Sequence, residues 1–323
     1  MPSGTEARAW ARTHVRGLWT ALTTPFDADG QIIEADLRRN VRTCLELELD
    51  GIGWGLLGEP WSMTHAQRRQ GIEIVLDEVG GAMPVYSFAT EHSLPEAVRL
   101  ARHAAGAGVD LVMLNPPYEH AYSADAVRRY VGQVASSVDA GIILYHSPHS
   151  GFRMSPELIA TIVAENDSIC ALKDGYGDFA LTAATIEAVG DRVQVSHAFE
   201  ERWLRAYAEL GSPVLLGSSS LYLLQVPGRL PIRRYTDLMF AGDIAGATEV
   251  SDRLEPLRQA WRSVYKALFE ENRHPYAAVK LWQDLIGMRG GEPGPGCAPL
   301  RPAERDAIEQ AVRQAGLLAG PRG

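Results

Sequence analysis

The chain has 323 residues, 46% of them hydrophobic and 22% charged, with 31 Gly and 19 Pro, a balance that excludes a disordered, collagen-like or disulfide-stapled protein. Acidic residues outnumber basic ones by 40 to 31, a formal net charge of −9, so neither nucleic acid nor an anionic membrane is expected as a partner. The basic residues divide into 28 Arg and only three Lys, at Lys173, Lys266 and Lys280.

Residues 1–16 lack the apolar segment of a secretory signal and read as a mobile arm or a short packing extension. Short apolar runs bounded by Gly, Pro, Asn or Asp then give expected strands at 18–22, 52–57, 84–89, 111–114, 142–146, 169–173, 193–197 and 214–217. Amphipathic stretches such as 35–48, 64–79, 94–107 and 124–138 alternate with them as helices. Eight strand–helix repeats, with strands too apolar to be one-sided, predict an α/β fold, a closed (β/α)8 TIM barrel over 17–230. A doubly wound sheet is the runner-up, but its first turn would be Gly-rich, and here that turn reads Thr23-Thr24-Pro25-Phe26.

Beyond residue 230 the pattern is helical, at 232–241, 245–269 and 275–286, and a Gly/Pro-rich loop at 290–299 precedes a last helix at 302–315. With no linker between, 231–323 is read as a C-terminal helical extension of the same domain, packed on the barrel or forming a subunit contact. Cys44, Cys170 and Cys297 are odd in number and lack CxxC spacing, which fits the reduced thiols of a cytoplasmic protein. No apolar run is long enough to span a membrane.

Barrel enzymes draw their catalytic groups from strand C-terminal ends and the loops that follow. Those positions hold Thr23, Thr24, Glu59, Tyr145, Lys173, Asp174 and five of the nine histidines, His92, His120, His146, His149 and His197. Lys173 closes the apolar run 169–172, so a strand would carry it to the mouth with its stem among apolar side chains. Desolvation disfavours the ammonium and leaves an amine able to attack a carbonyl. The alternative, from position alone, is an ion pair with Asp174 or another strand-end carboxylate. Lys266 and Lys280, in helical segments of the extension, are expected as snorkelling surface lysines. Tyr145 ends the preceding strand, where its hydroxyl either shuttles a proton beside Lys173 or is a satisfied packing group. Glu59, after the Gly58 turn, is read as structural. The one metal-like spacing joins His146 to His149 across Pro148, so no metal is expected, and the serines at 218–220 are read as helix caps.

Taken in order, several motifs resemble the dihydrodipicolinate synthase/N-acetylneuraminate lyase group of class I pyruvate-dependent aldolases. Residues 17–26 (GLWTALTTPF) are similar to its first strand, 55–59 (GLLGE) to its GTTGE or GSTGE turn, and 115–118 (NPPY) to its fourth-strand tyrosine motif. Residues 145–148 (YHSP) resemble its YNxP, 172–174 (LKD) its lysine strand, and 296–301 its segment before the final helix. The resemblance runs from Gly17 to about Leu318. It implies that Lys173 forms an imine with a 2-oxo acid, that Tyr145 moves protons beside it, and that Tyr118 reaches a neighbouring subunit's site in a homodimer or homotetramer. It also implies a small-molecule carbonyl substrate and no cofactor beyond the covalent imine.

The departures bear on the substrate. Leu56 and Leu57 stand where members carry two hydroxyl residues that bind the substrate carboxylate, and an oxygen left unpaired costs about 1–3 kcal/mol. Either other groups bind the 2-oxo carboxylate or the substrate is not a simple pyruvate. The apolar pair favours a larger hydrophobic or aromatic substrate, and the alternative is a closed site. After Tyr145 the chain reads His149-Ser150-Gly151 where synthases carry an Arg for a second carboxylate, and Arg153 is expected to lie beyond reach, already in a helix. His146, His149 and His197 replace small or amide residues and would hydrogen-bond the substrate or act as acid–base groups. Glu200 matches an acidic sugar contact of sialic-acid lyases, but Phe199 precedes it in place of Asp. The expectation is a Schiff-base (class I) aldolase or lyase acting on an unusual 2-oxo acid, distinct from the synthase of lysine biosynthesis. A hydro-lyase of a 2-oxo-3-deoxy acid through the same imine, a metal-dependent barrel enzyme and a non-catalytic binding barrel are the alternatives.

Overall fold

The computed structural model describes residue 4 and residues 6–117, 123–271 and 273–318, with the side chains of 266–270 outside that description. The chain opens with α1 (Ala7–His14), β1 (Gly17–Ala21), α2 (Glu34–Glu46), β2 (Gly51–Trp54), α3 (His65–Val79), β3 (Val85–Phe88), α4 (Leu94–Ala107) and β4 (Leu111–Leu114). It continues through α5 (Ala124–Ala135), β5 (Gly141–His146), α6 (Pro156–Glu165), β6 (Ile169–Asp174), α7 (Phe179–Val189), β7 (Gln194–His197), α8 (Glu200–Leu210) and β8 (Val214–Leu216). Six helices follow: α9 (Ser220–Leu223), α10 (Pro231–Phe240), α11 (Ile244–Asp252), α12 (Glu255–Glu270), α13 (Tyr276–Leu285) and α14 (Pro302–Gln314).

All eight strands form one parallel sheet in the order β7-β6-β5-β4-β3-β2-β1-β8. The Ser196 hydroxyl of β7 accepts a hydrogen bond from the Leu216 amide of β8 at 2.8 Å, so the two outer strands meet and the sheet is a nearly closed barrel. Apart from Gln194, every strand residue is buried, which is why the strands read as continuous apolar runs without alternation.

Contacts within the chain define two compact units, one of residues 1–19, 50–55 and 83–217, the other of 20–49, 56–82 and 218–323. The first holds nearly all of the barrel strands with α1 and α4–α8. Its β2 is glycine-rich for a steric reason: a Cβ on Gly51 would collide with the Trp19 ring, and one on Gly53 with the Tyr86 ring. The N-terminal residues 7–14 are helical, with Ala7 and Ala11 buried and the Arg8 guanidinium donating to the carbonyls of Val163, Asn166 and Ile169. The second unit holds α2, α3 and the C-terminal helices. Its α3 begins at a Thr64/Gln67 capping box, and the Trp282 ring meets Trp261 edge-on at 5.3 Å while its indole N–H donates to the Leu223 carbonyl.

Three local expectations need correction. The strand expected at 52–57 ends at Trp54, and Leu56–Gly58 is a 3₁₀ turn. Chain reversal there depends on Glu59, one of two described non-glycine residues with positive φ, at 59°. The helix expected at 245–269 is broken between α11 and α12, where Pro256 has no amide hydrogen to donate to the Asp252 carbonyl and the Arg258 guanidinium donates to the Ser251 carbonyl and hydroxyl at the end of α11. Ser219 stands at the N-terminus of the four-residue α9, yet its side chain makes no capping bond.

Candidate active site

β5 and β6 pair so that Tyr145 lies opposite Lys173 and His146 opposite Asp174. Side chains directly opposite in a sheet share a face, and successive residues alternate between faces. Tyr145 and Lys173 therefore project together, with His146 and Asp174 behind them. The Lys173 Nζ sits 5.0 Å over the Tyr145 ring centroid and donates to the Gly217 carbonyl at 2.9 Å.

The ion pair between Lys173 and Asp174, expected as the alternative, is not formed. Asp174 faces away from the lysine and accepts instead from the Thr182 hydroxyl at 2.6 Å and the Tyr176 amide at 3.2 Å. With its ammonium desolvated, Lys173 is pushed down to about 7. Burial raises the Tyr145 phenol above its ordinary range, and a hydrogen bond with the Ser147 side chain offsets part of that. Ser147 Oγ in turn accepts from the His149 amide at 3.2 Å.

The turn after β6 fixes the Tyr145 ring from its other side. A Cβ on Gly175 would lie 2.8 Å from Tyr145 Cε2 and 3.3 Å from the His146 carbonyl oxygen, so only glycine lets the turn pass this close. Gly175→Ala is expected to destabilise the fold by about 1–3 kcal/mol, read as a lower urea midpoint at unchanged slope. An unchanged midpoint would show that the ring yields freely.

The remaining candidates separate. His146 is fully buried, accepts from the Met154 amide through Nε2 at 2.9 Å and is pushed down to about 4, first by burial and then by Arg153. His197 is also buried, its ring 5.7 Å from Phe199, and burial lowers it to about 4. His149 is exposed, and the Ser150 hydroxyl is spent on its own turn, donating to the Ser147 and Phe152 carbonyls. Glu200 is buried in the first turn of α8 behind an exposed Phe199. Leu56 and Leu57 are half-buried in their 3₁₀ turn. Tyr118 and His120 lie outside the described residues, as does the Lys266 side chain. No group of three His, Cys, Asp or Glu converges as metal ligands among the described residues.

Two expectations are overturned. Arg153 is not in a helix: α6 starts at Pro156 after the Ser155 cap, and Arg153 stands in the segment before it. It is engaged nonetheless, 2.6 Å from Asp178 and 5.3 Å over the Tyr176 ring. Lys280 is no surface lysine. It is buried on α13 against the Glu59 carboxylate and donates to the Thr24 and Glu292 carbonyls, each at 2.7 Å. Sequence reasoning missed Gly175, Thr182 and Ser147. The two glycines flanking Tyr176 were the available signal for the first.

A family model described as the dihydrodipicolinate synthetase family matches residues 14–315. Curated relatives include the 4-hydroxy-tetrahydrodipicolinate synthase of Methanopyrus kandleri, 30% identical over 94% of this chain and 97% of the relative. The enzyme of the same name from Methylobacterium radiotolerans is 31% identical over 95% of this chain and 97% of its own. Among solved structures, a prophage protein of the dihydrodipicolinic acid synthase family from E. coli K12, in complex with pyruvate, superposes with a TM-score of 0.83 at 22% identity, covering 94% of this chain and 99% of that one. A Clostridium difficile protein, CdNal, in complex with mannosamine, gives 0.79 at 22% identity, over 94% and 100%. At those identities the two structures speak for the fold alone.

Proposed function

The chain belongs to the dihydrodipicolinate synthetase family, whose enzymes are lyases of the aldolase type, and on that premise we propose that it acts on a 2-oxo acid through an imine on Lys173. The observation that carries the reading is a buried amine with no carboxylate beside it among the described residues, set over the Tyr145 ring at 5.0 Å.

The steps follow from that pair. The neutral amine adds to the C2 carbonyl, and the resulting hydroxyl leaves as water with the proton of the Tyr145 phenol. The phenolate so formed stands beside the iminium cation and is supported by the Ser147 hydroxyl. It then takes a proton from C3, whose electron pair forms the C2=C3 bond as the iminium nitrogen takes up the π pair. The enamine adds to an aldehyde in synthesis, and the reverse sequence cleaves the same bond. A high phenol pKa suits this cycle, because the proton stays in place until the cation forms.

The second reactant is an aldehyde without a carboxylate. Supporting this, Arg153 is already paired with Asp178, and the segment after Tyr145 reads His149-Ser150-Gly151 where the synthases it resembles carry an Arg for a second carboxylate. Aspartate semialdehyde is then not the partner, and adding it should leave pyruvate consumption at background. The unbridged Cys44, Cys170 and Cys297 fit a reducing, cytoplasmic setting, and no described helix is long and apolar enough to cross a membrane. The assembly is a homodimer or homotetramer, as the family resemblance implies. The deciding experiment is borohydride reduction in the presence of a panel of 2-oxo acids, followed by peptide mass analysis. We expect a pyruvate-derived adduct on Lys173; the absence of an adduct with every acid tested would sink the reading.

A further inference from the structure

Tyr145 and Lys173 account for one face of the β5–β6 pair, and the proposed chemistry leaves the other unused. On that face the preceding residues are apolar, Ile142 and Leu144 on β5, Cys170 and Leu172 on β6, until the strands end in His146 and Asp174, both fully buried. A polar pair in such a layer is unfavourable relative to well-packed apolar side chains.

The contacts of this pair lead back to the front. Because the Met154 amide donates to His146 Nε2 at 2.9 Å, that nitrogen carries the lone pair and the proton sits on Nδ1. Nδ1 lies 3.8 Å from Asp174 Oδ1 and has no hydrogen-bond partner among the described residues. Asp174 Oδ1 also accepts from the Tyr176 amide at 3.2 Å, and Oδ2 from the Thr182 hydroxyl at 2.6 Å. The Tyr176 ring packs 4.4 Å from the imidazole, and the Gly175 amide donates to the His146 carbonyl at 2.8 Å. Gly175 is the residue on which the Tyr145 ring rests. A continuous run of contacts thus joins the buried carboxyl to the Tyr176 amide, the Gly175 backbone and the phenol ring.

We propose that His146 and Asp174 are positioning residues that, packed side by side behind the sheet and bonded to the Gly175 and Tyr176 amides, fix the 175–177 turn and, through Gly175, the place of the Tyr145 phenol beside Lys173. The proposal rests on the lysine-imine reading above. It gives His146 a task other than the substrate contact expected of it from the sequence. A catalytic group displaced by about 1 Å loses rate by up to about 10²-fold, so a device that holds one ring in place has room to matter.

The test uses His146→Phe and Asp174→Asn in the full chain, with pyruvate as the probe and two readouts. The equilibrium yield of borohydride adduct on Lys173 does not depend on how fast the phenol moves its proton. Loss of the pyruvate methyl signal in D2O, followed by NMR, needs the phenol to move a proton at C3. We expect adduct yields within about threefold of the native protein and methyl exchange slowed about tenfold or more. Thr182→Val, which removes one donor to Asp174 and neither member of the pair, should slow exchange several-fold and serves if the other variants do not fold. Both readouts falling together with the thermal midpoint would mean a merely structural pair and overturn the proposal, as would exchange within about twofold of native. A native chain that forms no adduct overturns the lysine reading, and the positioning role with it. A native chain that forms one, beside variants that match it in exchange, overturns the positioning role alone.

Discussion

Lys173→Met should yield a folded protein that forms no borohydride-stable adduct with pyruvate and exchanges the pyruvate methyl protons at least about 10³-fold more slowly. Methionine keeps the length and apolar stem of the lysine, so the loss isolates the amine. Its stability should equal or exceed that of the native chain, because an apolar group replaces a desolvated one that has no counter-ion among the described residues. The pH dependence follows from the same burial. With Lys173 pushed down to about 7, the free amine is the minor form at lower pH. The trapping rate of the native chain should therefore fall about tenfold per unit below about pH 7 and level off above it. Between about 7 and about 10.4 the unfolded chain holds a proton that the folded chain has released, so this residue's contribution to stability rises with pH across that window. Lys173→Met should flatten that rise in urea titrations. A variant that still traps pyruvate would place the nucleophile elsewhere.

The barrel was legible because its strands are buried on both faces and so stand out as apolar runs between turn residues. The Tyr145–Lys173 pair was legible for a related reason: each ends such a run, and neighbouring strand ends meet at one rim. Reading strand ends as a group, however, ignored alternation. Had period two been applied, His146 and Asp174 would have fallen behind their neighbours from the sequence alone. The helix start at Pro156 was also readable, since Ser155 followed by proline is a cap with its first helical residue; Arg153 lies outside it. Lys280 was beyond reach. Helical spacing shows which face of α13 a residue takes, but its partner Glu59 lies in a distant segment of the chain. Glu59 owes its orientation to a left-handed backbone angle that the sequence does not announce. The same blindness hid why the apolar run at 52–57 stops being a strand.

Lys280→Met should lower stability by about 3–5 kcal/mol, in contrast to the same change at Lys173. Both amines are buried, and the difference lies in what surrounds them. Lys280 Nζ faces the Glu59 carboxylate, donates to the Thr24 and Glu292 carbonyls, and stands 4.7 Å over the Phe26 ring. Burial pushes the ammonium down and the carboxyl up, and their contact opposes both shifts. Removing the lysine leaves a buried carboxylate that, among the described residues, is hydrogen-bonded by the Gly294 amide at 2.6 Å. On the same face of α13, the Tyr276 hydroxyl donates to the Leu56 carbonyl at 3.3 Å and Gln283 Oε1 accepts from the Thr23 hydroxyl at 2.8 Å, so one helix face pins the turns after β1 and β2. Glu59→Leu alone should be comparably destabilising, because it strands the ammonium. The double variant Lys280→Met/Glu59→Leu removes both charges and should recover at least half of the loss, a coupling that urea denaturation of the four proteins would measure directly. A double variant no more stable than the single ones would mean that the bonds to Thr24 and Glu292 hold these turns, and that the ion pair adds nothing to them.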